Sequence, residues 1–158
     1  PMPMAGESEG VHRYRLRRDA AHVDGLLHEG PDRRRFLREH HGFILGIPLG
    51  VVAPGMSPFV IWEGSHEIVR QGFRDRFAGI DPANWGQEDI TECYHALRRR
   101  IFEDCPRVEI TAGAGEAYLA HRLSLHGMAP WTGGEAGERM VLYFRPETGN
   151  PEGWLEAM

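Results

Sequence analysis

The chain has 158 residues, of which 41% are hydrophobic and 26% are charged, and its formal net charge is −5 at pH 7. This length and composition predict one globular domain with a sizeable core rather than a disordered chain. The net negative charge argues against a nucleic acid or an anionic membrane as partner, and no apolar run approaches the roughly 20 residues that cross a bilayer.

The first third of the chain contains a tail, two predicted strands and a predicted helix. Residues 1–10 are rich in Pro, Gly and Glu and predict a flexible tail. Residues 11–17 alternate arginines with less polar side chains, which predicts a half-buried strand. Residues 22–24 are interpreted as a second strand. Gly30 interrupts the strand pattern, and Pro31 is well placed to begin a helix, so a short helix is predicted over 31–40.

The middle of the chain changes from strand patterns to a helical one. Residues 42–52 form an apolar run whose Gly and Pro residues argue against a helix, so this run predicts a buried strand. Residues 59–62 predict another strand. Residues 67–107 are the least β-like part and are expected to be a helical insertion. Within it, apolar residues at helical spacing predict an amphipathic helix over 88–103, whose apolar stripe packs in the core.

Strand patterns return towards the C-terminus. Residues 108–111 and 116–125 each predict a strand. A Gly-rich loop follows over 127–137, and 139–144 is the last clear strand. Residues 147–158 have no strong pattern and are interpreted as a C-terminal tail.

About seven short strands with one inserted helix favour a mainly β fold. We expect a double-stranded β-helix, that is, a jelly-roll or cupin-like barrel, with one or two helices inserted or packed outside. The domain is expected to span residues 11–146. The two cysteines, Cys93 and Cys105, form neither a Cys-x-x-Cys motif nor a disulfide framework, so a reducing, cytoplasmic location is expected.

Residues 21–25 read Ala-His-Val-Asp-Gly and place a histidine two positions before an acid. In an extended strand alternate residues point to the same face, so His22 and Asp24 would project side by side. One more histidine from elsewhere would complete a two-His-one-carboxylate triad, which is typical of non-haem Fe(II) oxygenases. A motif of only three residues often occurs by chance. On this motif alone, the alternative to a metal site is that His22 and Asp24 are solvated side chains of a loop.

Further features follow in order along the chain. They are the Phe59–His66 segment ending in Gly-Ser-His, Gly115-Glu116-Ala117, His126 directly followed by Gly127, and Arg139 thirteen residues after His126. Together with His22-x-Asp24, they resemble the phytanoyl-CoA dioxygenase-like branch of the Fe(II)/2-oxoglutarate-dependent oxygenases. Glu63 stands where that family usually has Pro.

The resemblance implies a function and a set of site residues. It implies that His22, Asp24 and His126 bind Fe(II), and that Arg139 holds the far carboxylate of 2-oxoglutarate. The planar fork of an arginine matches a carboxylate, and such a charge-assisted contact is worth about 1.5–3 kcal/mol. The expected activity is hydroxylation of a small organic substrate. Because Asp24 fills the position that related iron halogenases leave empty for halide, hydroxylation is favoured over halogenation.

Other polar residues have competing interpretations. His121 competes with His126 for the distal ligand position, and His126 is favoured because the family's ligand directly precedes a Gly. His66 is expected to stabilise a turn, and Trp131 either covers the site or packs in the core. Four residues that could line the lumen are expected to be structural: His12, Tyr14, Arg122 and Ser124. The remaining histidines are expected at the surface: His28, His40, His41 and His95.

A different class of function is the alternative. The chain would then be a cupin-like metal-binding protein that never uses 2-oxoglutarate, either a binding module or a degenerate enzyme. Only 21 residues precede His22, fewer than the resemblance implies, which favours this alternative. A weaker alternative has the histidines and the carboxylate as ordinary barrel side chains without a metal.

Overall fold

The computed structural model describes residues 4–133, 138–149 and 151–156. Within them, eight strands form three antiparallel sheets that do not close into a barrel. The strands are β1 (Leu26–Glu29), β2 (Arg34–Leu37), β3 (Phe43–Pro48), β4 (Phe59–Trp62), β5 (Arg107–Ile110), β6 (Tyr118–His121), β7 (His126–Met128) and β8 (Val141–Phe144). The helices are α1 (Glu9–Arg18), α2 (Ser65–Arg76), α3 (Thr91–Asp104) and α4 (Pro151–Trp154), with a 3-10 helix at Pro82–Gln87.

Two three-stranded sheets face each other. Their strand orders are β6-β3-β8 and β5-β4-β7. Phe59 of β4 crosses the space between them, since its ring centroid lies 5.2 Å from that of Tyr118 on β6 and 6.1 Å from that of Tyr143 on β8. Ile44 and Ala120 pack in the same small core. The predicted mainly β character is therefore confirmed, as are the strands expected in 42–52 and at 59–62.

A larger core lies between the β5-β4-β7 sheet, the β1-β2 hairpin and the helices. The helix expected over 88–103 is present as α3, and it contacts α2. Trp154 of α4 is 1% exposed and packs on Phe73 of α2. The guanidinium of Arg122 donates to the carbonyls of Gly153, Trp154 and Glu156, so it fastens the C-terminal segment to this core. No described helix is long and apolar enough to span a membrane.

Residues 11–17 are helical, and the predicted strand there is wrong. The segment belongs to α1, whose first turn is capped because the Val11 amide donates to the Ser8 hydroxyl. Arginine is a good helix former. Its alternation with less polar residues has the period of a strand, which is why the sequence pattern gave the wrong prediction. His12 lies beside Glu7, and the Tyr14 hydroxyl donates to the Ala21 carbonyl at 2.5 Å. Both side chains thus make contacts within the N-terminal part of the chain.

The predicted helix at 31–40 is also wrong. The segment contains β2, which pairs with β1 across a turn where Gly30 and Arg33 adopt positive φ. Strand pairing with a neighbour that is close along the chain overrides the local helix signal of Pro31.

The predicted strand over 116–125 is two strands rather than one. β6 ends at His121, the Ser124 amide donates to the His121 carbonyl, and β7 begins at His126. This turn carries the chain from one sheet to the other, so His121 and His126 belong to different sheets. Residues 134–137 of the predicted Gly-rich loop lie outside the described residues, as do the ends of the two predicted tails.

Candidate metal centre

His22 and His126 are held next to each other by the backbone. The two residues form an antiparallel bridge, in which the His22 amide donates to the His126 carbonyl at 2.8 Å and the His126 amide donates to the His22 carbonyl at 2.9 Å. Directly opposed residues of antiparallel strands project to the same face. The two imidazole centroids are accordingly 4.6 Å apart.

Both imidazoles are oriented in the same way. Nδ1 of His22 lies 3.0 Å from the Ala20 carbonyl, and Nδ1 of His126 lies 2.9 Å from the Ser124 carbonyl. A carbonyl only accepts hydrogen bonds, so each Nδ1 carries a proton and donates it. In the neutral ring the Nε2 lone pair is then free to bind a metal, which is the usual arrangement of a metal-ligating histidine.

Asp24 completes the cluster. Its Oδ1 lies 3.2 Å from Nε2 of His22 and 3.5 Å from Nε2 of His126. The three ligand atoms all lie within 4.8 Å of one another. Ligands about 2.1 Å from one ion and at right angles to each other are about 3 Å apart, so these spacings suit a single ion. Asp24 begins a turn rather than continuing a strand, so the interpretation of 22–24 as a strand holds only for the bridge at His22.

The residues present fit a bound cation. Nε2 of His126 is buried and has no hydrogen-bond partner among the described residues. Two imidazole lone pairs and a carboxylate oxygen converge, and three acceptors facing each other repel unless a positive charge lies between them. An isolated buried acceptor costs about 1–3 kcal/mol. A metal ion at this point would satisfy all three.

The electrostatics favour the protonation states that a metal needs. Burial lowers the pKa of His126 below its ordinary value, although Asp24 opposes this effect. Burial acts to raise the pKa of Asp24, but the two imidazoles, when they carry a proton on Nε2 in the metal-free site, and the charge of Arg145 outweigh burial and hold that pKa below its ordinary range. Neutral imidazole and ionised carboxylate are the ligand forms that bind divalent ions.

Close packing explains the glycines beside the ligands. A Cβ on Gly127 would lie 2.2 Å from the Asp19 carbonyl oxygen, so only glycine lets the segment before His22 approach β7. A Cβ on Gly25, which has φ +82°, would lie 2.2 Å from the Glu39 carbonyl oxygen. These contacts give a physical reason for the glycines that follow His126 and Asp24 in the sequence.

One side chain of α3 and one of β5 hold the segment that carries His22 and Asp24. The Val23 amide donates to the hydroxyl of Tyr94, which is fully buried in α3. Asp19 is 4% exposed and accepts two hydrogen bonds from the Arg107 guanidinium, at 2.7 and 2.9 Å. The helix and β5 thereby position the segment that carries the two candidate ligands His22 and Asp24.

Arg145 contacts the candidate ligand set directly, and the sequence analysis missed it. Its Nε donates to Oδ2 of Asp24. Arg145 follows β8 directly, one residue beyond the end of the strand predicted over 139–144. Alternate residues of a strand face the same side, so Arg145 faces the same side as Tyr143. This alternation could have identified Arg145 from the sequence.

Arg139 lies between the two sheets near His126. Its Nη2 donates to the Tyr143 hydroxyl at 2.7 Å and lies 3.7 Å from Sδ of Met128, which is two residues from His126 on β7. Nε of Arg139 is buried and has no partner among the described residues. The Tyr118 hydroxyl is 2.8 Å from that of Tyr143. The arginine is therefore supported by aromatic side chains and keeps one buried donor unused.

A cavity of about 280 Å³ opens between the sheets beside Ile61, which is the cross-strand neighbour of His126. Ile61, Val108 and Ile110 provide its apolar wall. His66 and His121 lie at one end, with ring centroids 4.7 Å apart, and burial lowers the pKa of His121 to about 4. Neither of these histidines joins the ligand cluster.

The other candidates lie elsewhere. Ser124 contributes its carbonyl to His126, and Trp131 pairs with Met56. His28 and His95 are exposed as expected, and His40 is half-buried. His41 is only 9% exposed and lies 3.0 Å from Glu39, so its expected surface position is wrong.

Comparisons with protein-family models, with curated proteins and with solved structures gave no match for this chain.

Proposed function

We propose that the protein is an Fe(II)/2-oxoglutarate-dependent oxygenase, and specifically a hydroxylase of a small organic molecule. The observation that carries this proposal is the convergence of Nε2 of His22, Nε2 of His126 and Oδ1 of Asp24 within 4.8 Å. Two imidazoles and one carboxylate are the donor set of the non-haem Fe(II) oxygenases, which keep the remaining coordination positions open.

The strand pairing supports a jelly roll as the fold behind this site. In a jelly roll the third strand pairs with the sixth and eighth, the fourth pairs with the fifth and seventh, and the second also pairs with the seventh. Here β3 pairs with β6 and β8, and β4 pairs with β5 and β7. The segment at His22 precedes β1 and bridges to β7 at His126, so it would correspond to the second strand of a jelly roll, and the β1-β2 hairpin would then be an insertion.

Fe(II) held by His22, Asp24 and His126 would supply the oxidising chemistry, in which O₂ and 2-oxoglutarate are converted to succinate and CO₂ and the second oxygen atom of O₂ is inserted into a C–H bond of the substrate. The residues of the chain have separate tasks around it. The carbonyls of Ala20 and Ser124 fix the two imidazoles. Phe59 lies against His126, with ring centroids 5.3 Å apart, and excludes water from that side of the ring.

Arg139 is the proposed partner of the far carboxylate of 2-oxoglutarate. Its buried, unpartnered Nε is an unused donor that a carboxylate would satisfy. Its neighbour Met128 projects to the same face of β7 as His126, so the guanidinium and the metal ligands share the space between the sheets. The cavity beside Ile61 has a volume of about 280 Å³, slightly below the range of about 300–1,000 Å³ that is usual for small-molecule sites, so any substrate that it takes would be small.

A metal-binding protein without 2-oxoglutarate chemistry is the second candidate. The observation that favours it is the engagement of Arg139, which already donates to Tyr143. In that case the ligand cluster would serve binding alone.

Anaerobic titration with Fe(II) and 2-oxoglutarate separates the two candidates. We expect a visible metal-to-ligand charge-transfer band in the wild type and none in Asp24→Ala. Arg139→Met should need roughly 10- to 100-fold more 2-oxoglutarate for the half-maximal band, because it loses a contact worth about 1.5–3 kcal/mol. Arg74→Met, which removes an exposed arginine of α2, is the matched control.

Two outcomes of this titration would contradict the proposal or the role of Arg139. Metal binding without the band would favour the metal-binding protein and end the oxygenase proposal. An unchanged requirement for 2-oxoglutarate in Arg139→Met would remove this arginine from the site.

A further inference from the structure

The two oxygens of Asp24 have different neighbours. Oδ1 faces Nε2 of both imidazoles, whereas Oδ2 accepts a hydrogen bond from Nε of Arg145. The Asp24 side chain is 11% exposed and that of Arg145 is 33% exposed, so the pair is largely shielded from water. The Arg145 guanidinium is also held over the Tyr143 ring, with its Cζ 5.1 Å from the ring centroid. The arginine therefore has a fixed position on one side of the carboxylate.

A carboxylate can bind a metal ion through one oxygen or through both. Binding through both takes two coordination positions and would leave fewer for a chelating keto acid and O₂. Charge-assisted hydrogen bonds are short and strong, so an oxygen that accepts one from a guanidinium is a poorer metal ligand. Arg145 occupies the oxygen that a two-oxygen mode would need.

We propose that Arg145 is a positioning residue that restricts Asp24 to binding the metal through Oδ1 alone, which keeps a coordination position open for co-substrate. This inference rests on the metal centre of the proposed function and extends it to a residue outside the ligand set. Arg145 acts through Asp24 and does not touch the ion.

The charge of Arg145 has a second, measurable effect. A single positive charge about 6 Å from a divalent ion weakens its binding roughly tenfold, even at the dielectric constant of water. The same side chain that opens the coordination sphere should thus lower the affinity for metal. Removal of the arginine should reverse both effects together.

Titration of the apoprotein with Co(II) alone, followed by visible absorption, tests the inference. In Arg145→Met, Asp24 becomes free to bind through both oxygens, and because the second oxygen would displace a water ligand, the visible spectrum of bound Co(II) should differ from that of the wild type. The dissociation constant for Co(II) should fall about tenfold. Arg145→Lys keeps a cationic donor and should stay close to the wild type in both measurements. Arg74→Met removes one exposed positive charge far from the site and should change neither.

Two results would overturn the inference, and they differ from each other. If wild type and Arg145→Met bind Co(II) with the same spectrum and the same affinity, Arg145 does not set the binding mode although the metal centre exists. If the folded wild type does not bind Co(II), the metal centre of the proposed function fails and the inference fails with it. If Arg145→Met does not fold, Arg145→Ala takes its place: a changed Co(II) spectrum with tighter binding supports the proposal, and a wild-type spectrum with wild-type affinity contradicts it.

Discussion

His22→Ala is the most informative substitution at the candidate metal centre. The His22 side chain is 44% exposed, so its removal should cost the metal-free fold less than about 1 kcal/mol. His126 is 2% exposed and packs on Phe59, so its removal would mix loss of a ligand with loss of packing. His22 therefore allows the metal to be tested separately from the fold.

The size of the effect follows from binding linkage. A metal present at about 100 times its dissociation constant stabilises the folded state by about 2.7 kcal/mol. For a chain of this length, that raises Tm by roughly 5–11 °C. If loss of one of the three ligands weakens binding about a hundredfold, the same metal concentration adds only about 0.4 kcal/mol, which corresponds to roughly 1–2 °C.

Thermal unfolding with and without Mn(II), followed by circular dichroism, measures these shifts. Mn(II) takes the same donor types and does not oxidise in air during the experiment. His28→Ala removes an exposed histidine of β1 and is the matched control, so it should keep the full shift. An equal Mn(II) shift in wild type and His22→Ala, or no shift in the wild type, would refute the reasoning from the ligand geometry.

Three further predictions concern the surroundings of the site. Tyr94→Phe leaves the amide of Val23, which is 1% exposed, without its acceptor, and should lower the free energy of unfolding in urea by about 1–3 kcal/mol. Gly127→Ala places a Cβ 2.2 Å from the Asp19 carbonyl oxygen, so we expect a loss of about 1–3 kcal/mol in the same assay and a smaller Mn(II) shift. Burial lowers the pKa of His121 from 6.5 to about 4, so the unfolded state binds more protons in that range. Stability should therefore fall as pH decreases from 6.5 to 4, and urea titrations should find a smaller fall in His121→Gln.

Elements with a clear period and their own core face were predictable from the sequence. The strand at 59–62 and the helix at 88–103 have such patterns, and both are present within a few residues of the expected bounds. The segments at 11–17 and 31–40 are short and polar, and contacts made elsewhere decide their structure. Capping by Ser8 favours the helix at 11–17, and pairing with β1 favours the strand within 31–40. The hydrophobic periodicity of these segments does not indicate either partner.

The candidate ligands were predictable for a different reason. His22-x-Asp24 and His126-Gly127 are short motifs that also carry backbone constraints, so they are recognisable without knowledge of the fold. Arg145 has no motif of its own, and its contact with Asp24 joins residues 121 positions apart in the chain. Only the register of β8 against β3, which sends alternate residues inward, brings it to the site.

The orientation of both imidazoles comes from the backbone and not from side chains. Each Nδ1 donates to the carbonyl two residues earlier, and the two residues face each other across one bridge. The tautomer of both ligands is thus fixed by strand geometry, whatever side chains stand at positions 20 and 124. In many metal sites a carboxylate performs this task, and its mutation costs 10- to 100-fold in affinity or activity. Here a carbonyl performs it, so in the proposed metal centre the side chain that remains free to adjust the metal is the one that contacts Asp24. Substitutions that change metal affinity in the proposed centre without disturbing the backbone should therefore be found at Arg145, while the segments at His22 and His126 depend on the close approach that Gly127 permits.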